Sequence, residues 1–364
     1  MNPMMRNHTN MKIIQHEVAL VADIHLGLHI SSSVWHDISL NFAQWLKQTL
    51  LDRGVKDIII LGDVVDNRNE VSVTTLHAMY KFFKILEDFN IIIIPGNHDC
   101  YYSKRSDVHS LGTLNDWPNI EIVDKPLTVN MFNRTLSFCP WNVPLDAIPK
   151  AYSDVLFGHF EINTFKMNAG HVCGNGLDSQ ALLAKAGMIL SGHFHRTEKR
   201  SYKNGEIVYI GSPYEQSWGE YGDQKGIYLL DLHENALEFV SNDKSPKHVK
   251  IRLSELLAVG KITDNIKKEF NGNIINFIID VEVDQKIIDA LLAKFYALNP
   301  ISVKTENLLL TQNIVSSDDE MKFEGVDVKV DIVNFIAGLD GVENKTELTN
   351  YLVNAYDRCM EDKK

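Results

Sequence analysis

The stretch IIIIPGNHDC, residues 91–100, decides the fold of this chain. A dense run of isoleucines is typical of a strand whose two faces are both buried. The chain leaves this strand through a Pro-Gly corner into three polar residues, Asn97, His98 and Asp99. Because ligands of α/β sheets bind at the carboxyl ends of strands, these three side chains are candidates for a functional site.

Two more apolar runs come before this strand, and patterns with helical spacing separate the three runs. The earlier runs are EVALVADIHLG (17–27) and KDIIILGDVVD (56–66), and helices are predicted over 34–54 and 71–89. The first helical pattern closes with Arg-Gly, which is a typical helix C-terminus. An order of strand, helix, strand, helix, strand predicts an α/β fold with a layered sheet.

The later part of the chain divides into further regions. Shorter apolar runs predict a β-rich continuation; they are SDVLFGHF (153–160), AGMILSGHFH (186–195), GEIVYIGSPY (205–214) and KGIYLLDL (225–232). Beyond residue 245 the pattern changes to that of a small separate α/β unit, followed by the acidic stretch VSSDDE (315–320) and two amphipathic helical patterns. We therefore predict a first domain over 11–242, a small α/β domain over 243–315 and a C-terminal helical segment over 321–364.

The composition is that of an ordinary globular protein, with 45% hydrophobic and 23% charged residues among 364. No apolar stretch reaches the roughly 18–20 residues that span a bilayer, and the first residues lack the apolar centre of a secretory signal. Four cysteines without close spacing favour a reducing compartment, so a cytoplasmic location is expected. The net charge of -12 argues against general nucleic-acid binding, but it leaves room for a local basic site.

Five of the apolar runs end in a polar corner. If these corners meet in one crevice, they supply seven metal-ligating side chains: Asp23, His25, Asp63, Asn97, His159, His193 and His195. Imidazole together with carboxylate suits Mn, Fe or Zn better than Ca. Seven ligands exceed the four of a tetrahedral ion, and they suit two ions about 3.5–4 Å apart with one bridging carboxylate. Each corner alone is a weak signal, since GNHD can form an ordinary turn and histidine is common in this chain.

The charge of such a site indicates an anionic substrate. Two divalent ions with two aspartates retain positive charge, and a phosphate ester is the anion that fits it. His98 is placed to donate a hydrogen bond or a proton to the phosphoryl or leaving oxygen, and Asp99 is expected to hold that ring in orientation. Glycine before four of the corner residues lets the backbone approach the ions.

The order of these motifs, D-x-H, G-D-x-x-D, G-N-H-D, G-H and G-H-x-H, resembles that of the calcineurin-like metallophosphoesterases over residues 15–235. Within this superfamily, ADIHLG (22–27) and YIGSPYEQSWGEYGDQKGIYLLDL (209–232) resemble the SbcD-type DNA repair nucleases, and the length and short tail resemble their bacteriophage version. The resemblance implies a layered α/β fold, a metallophosphoesterase β-sandwich flanked by helices. It assigns the seven corner residues to two metal ions and His98 to the transition state.

The resemblance further implies an exo- or endonuclease that processes double-stranded DNA ends in double-strand-break repair and recombination with two Mn²⁺ or Mg²⁺ ions. It implies that 243–315 caps the DNA and that the C-terminal helices bind the coiled coil of an SbcC-type ABC ATPase. It also implies a homodimer, for which the helices over 34–46 and 71–83 are candidates. Alternatives remain: a phosphodiesterase for cyclic nucleotides or small phosphodiesters, a protein phosphatase, or a non-catalytic scaffold.

Basic residues beside the corners are candidates for a local rim that contacts DNA phosphates. They are Arg68, Lys104, Arg105, Lys199, Arg200 and Lys203. Each could equally be a solvated loop charge, and Tyr101 and Tyr102 could stack on a base or simply pack. Asp66 departs from the family, since cellular relatives often carry there a histidine that is linked to handling of the strand end. We expect Asp66 to accept a hydrogen bond beside the metal ligands rather than to be a solvated loop carboxylate.

Overall fold

The structure is a computed structural model that describes residues 13–103, 105–167, 171–309, 336 and 344–361. The chain divides into two compact units, Met1–Asn307 and Leu308–Lys364. Among the described residues, no helix combines the length and apolar character needed to cross a membrane. The predicted linker over 315–320 lies outside the described residues, and the three predicted domain boundaries stay predictions.

The first unit contains three β-sheets with helices packed on them. In the described residues the strands are β1 Glu17–Val21, β2 Asp57–Ile60, β3 Asn90–Ile93, β4 Ile120–Ile122, β5 Leu127–Met131, β6 Arg134–Cys139, β7 Ser153–His159, β8 Ala186–Gly192, β9 Glu198–Tyr202, β10 Gly205–Tyr209, β11 Gly226–Asp231, β12 Ala236–Ser241, β13 His248–Arg252, β14 Ile274–Ile279 and β15 Ser302–Asn307. The helices are α1 Ser33–Arg53, α2 Val73–Ile85, α3 Ser179–Leu183, α4 Leu253–Val259, α5 Asp264–Phe270, α6 Gln285–Tyr296 and, in the second unit, α7 Lys345–Glu361. The first unit also contains two 3-10 helices, Ser110–Leu114 and Trp218–Glu220, and a short helical turn, Leu28–Ser31.

Two six-stranded sheets form the centre of the first unit. The first has the strand order β12-β11-β1-β2-β3-β4 and the second β5-β6-β7-β8-β10-β9. Strands β1, β2 and β3 are parallel to one another, as are β7 and β8. The third sheet, β13-β14-β15, is parallel throughout and lies within the residues predicted as the small α/β domain. The predicted layered α/β fold is therefore confirmed.

The four isoleucines that follow Asn90 serve two apolar layers at once. Ile91 and Ile93 lie in the cluster that joins the first sheet to α1 and α2, whereas Ile92 and Ile94 lie in the cluster between the two sheets. All four are at most 3% exposed, and burial of each stabilises the fold by about 1.5–3 kcal/mol. A strand with helices on one face and a sheet on the other has no polar face, which explains the unbroken apolar run.

The two long helices begin and end at the signals in their sequences. Helix α1 ends at Arg53, and Gly54 follows with a left-handed φ of 73° and donates its N–H to Leu50 and Leu51. Helix α2 begins after Ser72, whose hydroxyl accepts the Thr75 N–H. The C-terminus that the Arg-Gly pair predicts is therefore confirmed. Both helices pack on the first sheet and fix the strands whose ends carry the polar corners.

Candidate metal centre

The structure brings the seven predicted ligands together at the carboxyl ends of the parallel strands. Ligand atoms of Asp23, His25 and His195 all lie within 4.8 Å of one another, and so do those of a second set. That second set is Asp63, His159 and His193, and a third set, His25, Asp63 and His98, shares one residue with each of the other two. We call the first two sets the Asp23 group and the Asp63 group.

Asp63 and Asn97 lie among the imidazoles. Asp63 Oδ2 is 3.3 Å from His159 Nε2 and 3.6 Å from His25 Nε2, so this carboxylate faces both groups. Asn97 Oδ1 is 2.9 Å from His159 Nε2 and 2.9 Å from His193 Nδ1. One carboxylate between the two groups is the arrangement that two bridged ions need.

Backbone strain is concentrated at these corners. Four of the seven predicted ligands have a left-handed φ: Asp23 54°, His25 51°, Asp63 52° and His193 94°. Such conformations cost about 1–3 kcal/mol for a residue with a side chain and persist only where the surroundings hold them. Here Asp23 N donates to Gly62 O at 3.1 Å and His25 N to Asp63 O at 3.0 Å. The loops after β1 and β2 therefore hold each other in the strained form.

Two glycines permit the close approach of these loops. A Cβ on Gly62, where φ is 89°, would lie 2.5 Å from His159 Nδ1 and 2.8 Å from Gly96 Cα. A Cβ on Gly96 would lie 2.2 Å from Asp63 Oδ1. No side chain fits at either position without moving Asp63 or His159, which confirms the need for glycine at these two corners.

Neighbouring acceptors turn the imidazole nitrogens toward the centre. His159 Nδ1 lies 2.7 Å from the carbonyl oxygen of Leu61, which can only accept, so Nδ1 carries the proton and Nε2 faces the site. In the Asp23 group, His25 Nε2 and His195 Nε2 lie 3.1 Å apart. Buried ring nitrogens, carboxylates and an amide oxygen that all face one another form a donor set that fits two divalent ions.

Burial and charge shift the pKa values within the cluster. Burial opposes the ionisation of Asp63, but the charge of His159 and the hydrogen bond from it hold the pKa of Asp63 well below its usual range. Burial also disfavours the charged form of His159, yet Asp63 raises the pKa of His159 to about 9. Burial and the charge of His159 lower the pKa of His193 to about 3. A cation bound between these side chains would compete with protons for the same ligand atoms.

His98 and Asp99 both lie beside the cluster, but they contact different groups. The His98 ring directs Nδ1 at the backbone oxygen of Asp66, and its backbone N–H donates to Asp63 Oδ1 at 2.8 Å. Asp99 instead accepts from the backbone N–H groups of Val64 at 2.9 Å, Val65 at 3.1 Å and Gly96 at 2.9 Å. The expectation that Asp99 orients the His98 ring is therefore wrong, because its carboxylate is engaged in joining two corners.

The Asp99 carboxyl and the Asp66 side chain complete the surroundings of the corners. Burial, with the nearby charge of Asp63, raises the pKa of Asp99 to about 6. Asp66 Oδ1 lies 3.4 Å from His25 Nδ1, so Asp66 lies beside a predicted ligand, but His25 Nδ1 makes no hydrogen bond to it. Burial opposes ionisation of Asp66, but His25 outweighs burial and lowers its pKa.

The predicted basic rim is mostly paired with carboxylates. Arg105 contacts Asp107 and lies over the Tyr102 ring, with 4.9 Å between its Cζ and the ring centroid. Lys199 lies 2.7 Å from Glu206, and Arg200 contacts Glu198 and the Phe165 ring. Lys203 is exposed and Arg68 half-buried, while Lys104 lies outside the described residues. Tyr101 and Tyr102 are half-exposed and meet edge to face with centroids 4.9 Å apart.

Sequence reasoning missed a buried polar group behind His195. Glu220 Oε1 lies 2.9 Å from His195 Nδ1, and Lys225 Nζ lies 2.6 Å from Glu220 Oε2. Burial opposes ionisation of Glu220, but the hydrogen bond from His195 and the charge of Lys225 lower its pKa to about 2. Both Glu220 and Lys225 lie in the stretch 209–232 whose family resemblance is visible in the sequence, but the sequence does not show that they are buried beside His195.

Comparison with known proteins agrees with this geometry. The family model described as calcineurin-like phosphoesterase matches residues 16–197, half of the chain. The chain belongs to the calcineurin-like phosphoesterase family. Members of this family bind two divalent metal ions, so this calcineurin-like phosphoesterase is a metal-dependent enzyme that hydrolyses phosphoesters, and the predicted resemblance is confirmed.

Viral proteins are among the relatives of this calcineurin-like phosphoesterase. It is 26% identical to "Exonuclease subunit 1" of Enterobacteria phage T4, over 61% of this chain and 67% of the relative. It is 26% identical to "Putative phosphoesterase 244L" of Invertebrate iridescent virus 6, over 57% of this chain and 73% of the relative. A solved structure of a dimetal phosphatase from Danio rerio matches 62% of this chain and 95% of that chain, with 12% identity and a TM-score of 0.40.

Proposed function

We propose that the protein is a dinuclear metal-dependent DNA nuclease that processes DNA ends in double-strand-break repair and recombination. The observation that carries the proposal is the position of the Asp63 carboxylate. It lies between His25 of the Asp23 group and His159 of the Asp63 group, beside His98. The two groups suit a pair of ions, and Mn²⁺ fits the mixture of imidazole and carboxylate best, with Mg²⁺ as the alternative. The similarity to a phage exonuclease subunit supports DNA as the substrate.

In this proposal the seven corner residues hold the ions and His98 acts on the substrate. Ions bound there supply stabilisation of negative charge on phosphate oxygens and activation of water for in-line attack. The Asp66 carbonyl accepts the Nδ1 proton of His98, so Nε2 of the ring is the nitrogen left for the substrate. A protonated His98 would donate through Nε2 to a phosphoryl or leaving oxygen. The hydrogen bond from His98 N to Asp63 Oδ1 fixes the position of His98 relative to a residue that would hold the ions.

DNA and protein partners belong to the same proposal. Arg68 and Lys203, for which no carboxylate contact is described, are the best candidates in the rim for DNA phosphates, and Lys199, Arg200 and Arg105 would first have to leave their carboxylates. We assign 243–315 to capping the DNA. An SbcC-type ABC ATPase would bind the C-terminal segment, where Tyr351 of α7 is 66% exposed. A homodimer would form through α1 and α2, where Val73 and Tyr80 are 82% and 53% exposed.

Cleavage of end-labelled duplex DNA by the purified protein in Mn²⁺ and in Mg²⁺ tests the proposal. We expect metal-dependent cleavage that His98→Ala reduces by roughly 10²–10⁴-fold, the contribution of a general acid. The same variant should still bind two Mn²⁺ ions, because His98 is proposed to contact the substrate. Calorimetric titration with Mn²⁺ measures this stoichiometry.

His233→Ala is the matched control, because His233 is exposed in the turn between β11 and β12, and it should retain full activity. Loss of an ion in His98→Ala would make His98 a ligand. Cleavage of cyclic nucleotides or phosphopeptides in preference to DNA would favour the alternative hydrolases. A protein that binds two ions and cleaves none of these substrates would contradict the nuclease assignment.

A further inference from the structure

The ring of His195 is held by a buried network that is separate from the predicted ligands. Glu220 Oε1 lies 2.9 Å from His195 Nδ1. An ionised carboxylate can only accept, so this contact requires the proton of a neutral His195 ring to be on Nδ1. The lone pair of Nε2 is then directed at the Asp23 group, where His25 Nε2 lies 3.1 Å away.

Lys225 holds both the carboxylate of Glu220 and the backbone of His195. Its Nζ lies 2.6 Å from Glu220 Oε2, 2.8 Å from Ser212 Oγ and 2.8 Å from the His195 carbonyl oxygen. An ammonium group has three protons, and each of them has an acceptor here. Lys225 and Glu220 are only 7% and 6% exposed, so these two charges are buried and do not belong to the solvated surface.

The second oxygen of Glu220 is surrounded by donors. Oε2 accepts from Lys225 Nζ, from Ser212 Oγ at 3.1 Å and from the Gln216 backbone N–H at 3.2 Å. Gln216 in turn donates its side-chain amide to the Asp23 carbonyl oxygen at 2.6 Å. One loop, residues 212–225, thus holds two of the three members of the Asp23 group.

We propose that Glu220, anchored by Lys225, is a positioning residue that fixes the tautomer and orientation of His195 and thereby sets the affinity of the Asp23 group for its metal ion. The proposal rests on the ligand set of the proposed function. A carboxylate that accepts from a metal-bound histidine typically changes metal affinity by about 10–100-fold. The Asp63 group lies outside this network, so the effect should be confined to one of two ions.

The surroundings of Glu220 make glutamine an informative replacement. In Glu220→Gln the amide oxygen must take the place of Oε2, because the alternative sets an NH₂ group against the Lys225 ammonium and the Gln216 N–H. The NH₂ group then faces His195 Nδ1, which must accept, so the ring proton moves to Nε2 and blocks the metal-facing lone pair. Glu220→Ala imposes no tautomer. Glutamine should therefore harm metal binding more than alanine, although glutamine preserves packing better.

Glu215 offers a control in the same loop. It is 5% exposed, and its Oε2 lies 2.9 Å from Nδ1 of the equally buried His248. The Glu215–His248 pair joins the loop to β13 and contacts no member of the Asp23 group. Glu215→Gln therefore removes a comparable buried pair without touching His195.

Two measurements test the proposal. The first is calorimetric titration of the wild-type chain and the three variants with Mn²⁺, and the second is ¹⁵N NMR of the neutral His195 ring in metal-free protein. We expect Glu220→Gln to weaken one of two ions by about 10–100-fold, Glu220→Ala to weaken the same ion less, and Glu215→Gln to leave both unchanged. The ring should carry its proton on Nδ1 in the wild-type chain and on Nε2 in Glu220→Gln. Thermal melts should rank glutamine as more stable than alanine.

Unchanged Mn²⁺ binding in Glu220→Gln would overturn the proposal, as would an affinity loss that follows the melting temperatures across the variants. If Glu220→Gln does not fold, the wild-type spectrum still decides, since a proton on Nε2 of His195 contradicts the geometry. A wild-type chain that binds fewer than two ions would overturn both this inference and the ligand set. A chain that binds two ions but leaves DNA intact would overturn only the nuclease assignment.

Discussion

The Asp63 group and the Asp23 group contain the same residue types but are held by different means. In the Asp63 group, backbone atoms fix the ligands. The Leu61 carbonyl orients the His159 ring, and Gly62 and Gly96 allow the loops to come into contact. In the Asp23 group, side chains from other loops add to the backbone hydrogen bonds of Asp23 N and His25 N. His195 contacts Glu220, and His25 lies beside Asp66. A group held by strand backbone tolerates little change, whereas one held by loop side chains can be tuned by single substitutions.

Asp63→Asn should have the largest effect, because the Asp63 carboxylate lies close to an imidazole of each group. We expect it to weaken both ions by more than the roughly 10–100-fold that is typical of residues behind a ligand, and to abolish cleavage. Calorimetric titration with Mn²⁺ measures the loss. Weakening of a single ion would show that the carboxylate serves only one group.

Asp57→Asn is the matched control for this substitution. Asp57 is equally buried at the opposite end of β2, where it accepts from the Ile14 and Gln15 N–H groups and from the Asn90 amide. Its replacement should reduce the free energy of unfolding, since it alters a buried hydrogen-bonded carboxylate, but it should leave Mn²⁺ binding unchanged. The pair of variants separates stability from metal binding on one strand.

Gly96→Ala tests whether the backbone fixes the Asp63 group. Its Cβ would lie 2.2 Å from Asp63 Oδ1 and 2.4 Å from Asp63 N, so Asp63 must move. We expect a loss of about 1–3 kcal/mol in the free energy of unfolding, as for overpacked interiors, together with weaker Mn²⁺ binding. Urea unfolding measures the loss in the free energy of unfolding. Gly174→Ala, where a Cβ meets nothing within 4 Å, should change neither quantity, and equal effects at the two glycines would contradict the backbone argument.

The sequence identifies the members of both groups, but it does not identify the side chains that hold His195. The strands before Asp63 and Asn97 are dense apolar runs, and the corners follow directly, so position along the chain fixes position in space. Glu220 and Lys225 lie in an irregular loop without periodicity, and only the folded chain shows that they are buried. Their role depends on contacts across 25 and 30 residues of chain that no local pattern records.

Two further differences between the sequence predictions and the structure have similar causes. Asp99 stands next to His98 in sequence, which favours a contact between them, but its carboxylate accepts from Val64 and Val65 more than thirty residues away. The basic residues near the corners are visible in the sequence, but the carboxylate that pairs with Lys199 depends on how β9 and β10 meet. In both cases the partner of a charge is set by the tertiary fold.

Asp66→Asn should have the smallest effect, and it tests the weakest contact of the Asp23 group. Oδ1 lies 3.4 Å from His25 Nδ1, longer than most hydrogen bonds, and His25 Nδ1 has no hydrogen-bond partner among the described residues. We therefore expect an affinity loss of about 10-fold for one Mn²⁺ ion, at the low end of the range for residues behind a ligand. Glu70→Gln, an exposed carboxylate in the same loop, is the control and should leave both ions unchanged. A larger loss in Asp66→Asn than in Glu220→Gln would mean that the contact to His25, rather than the contact to His195, limits metal binding by the Asp23 group.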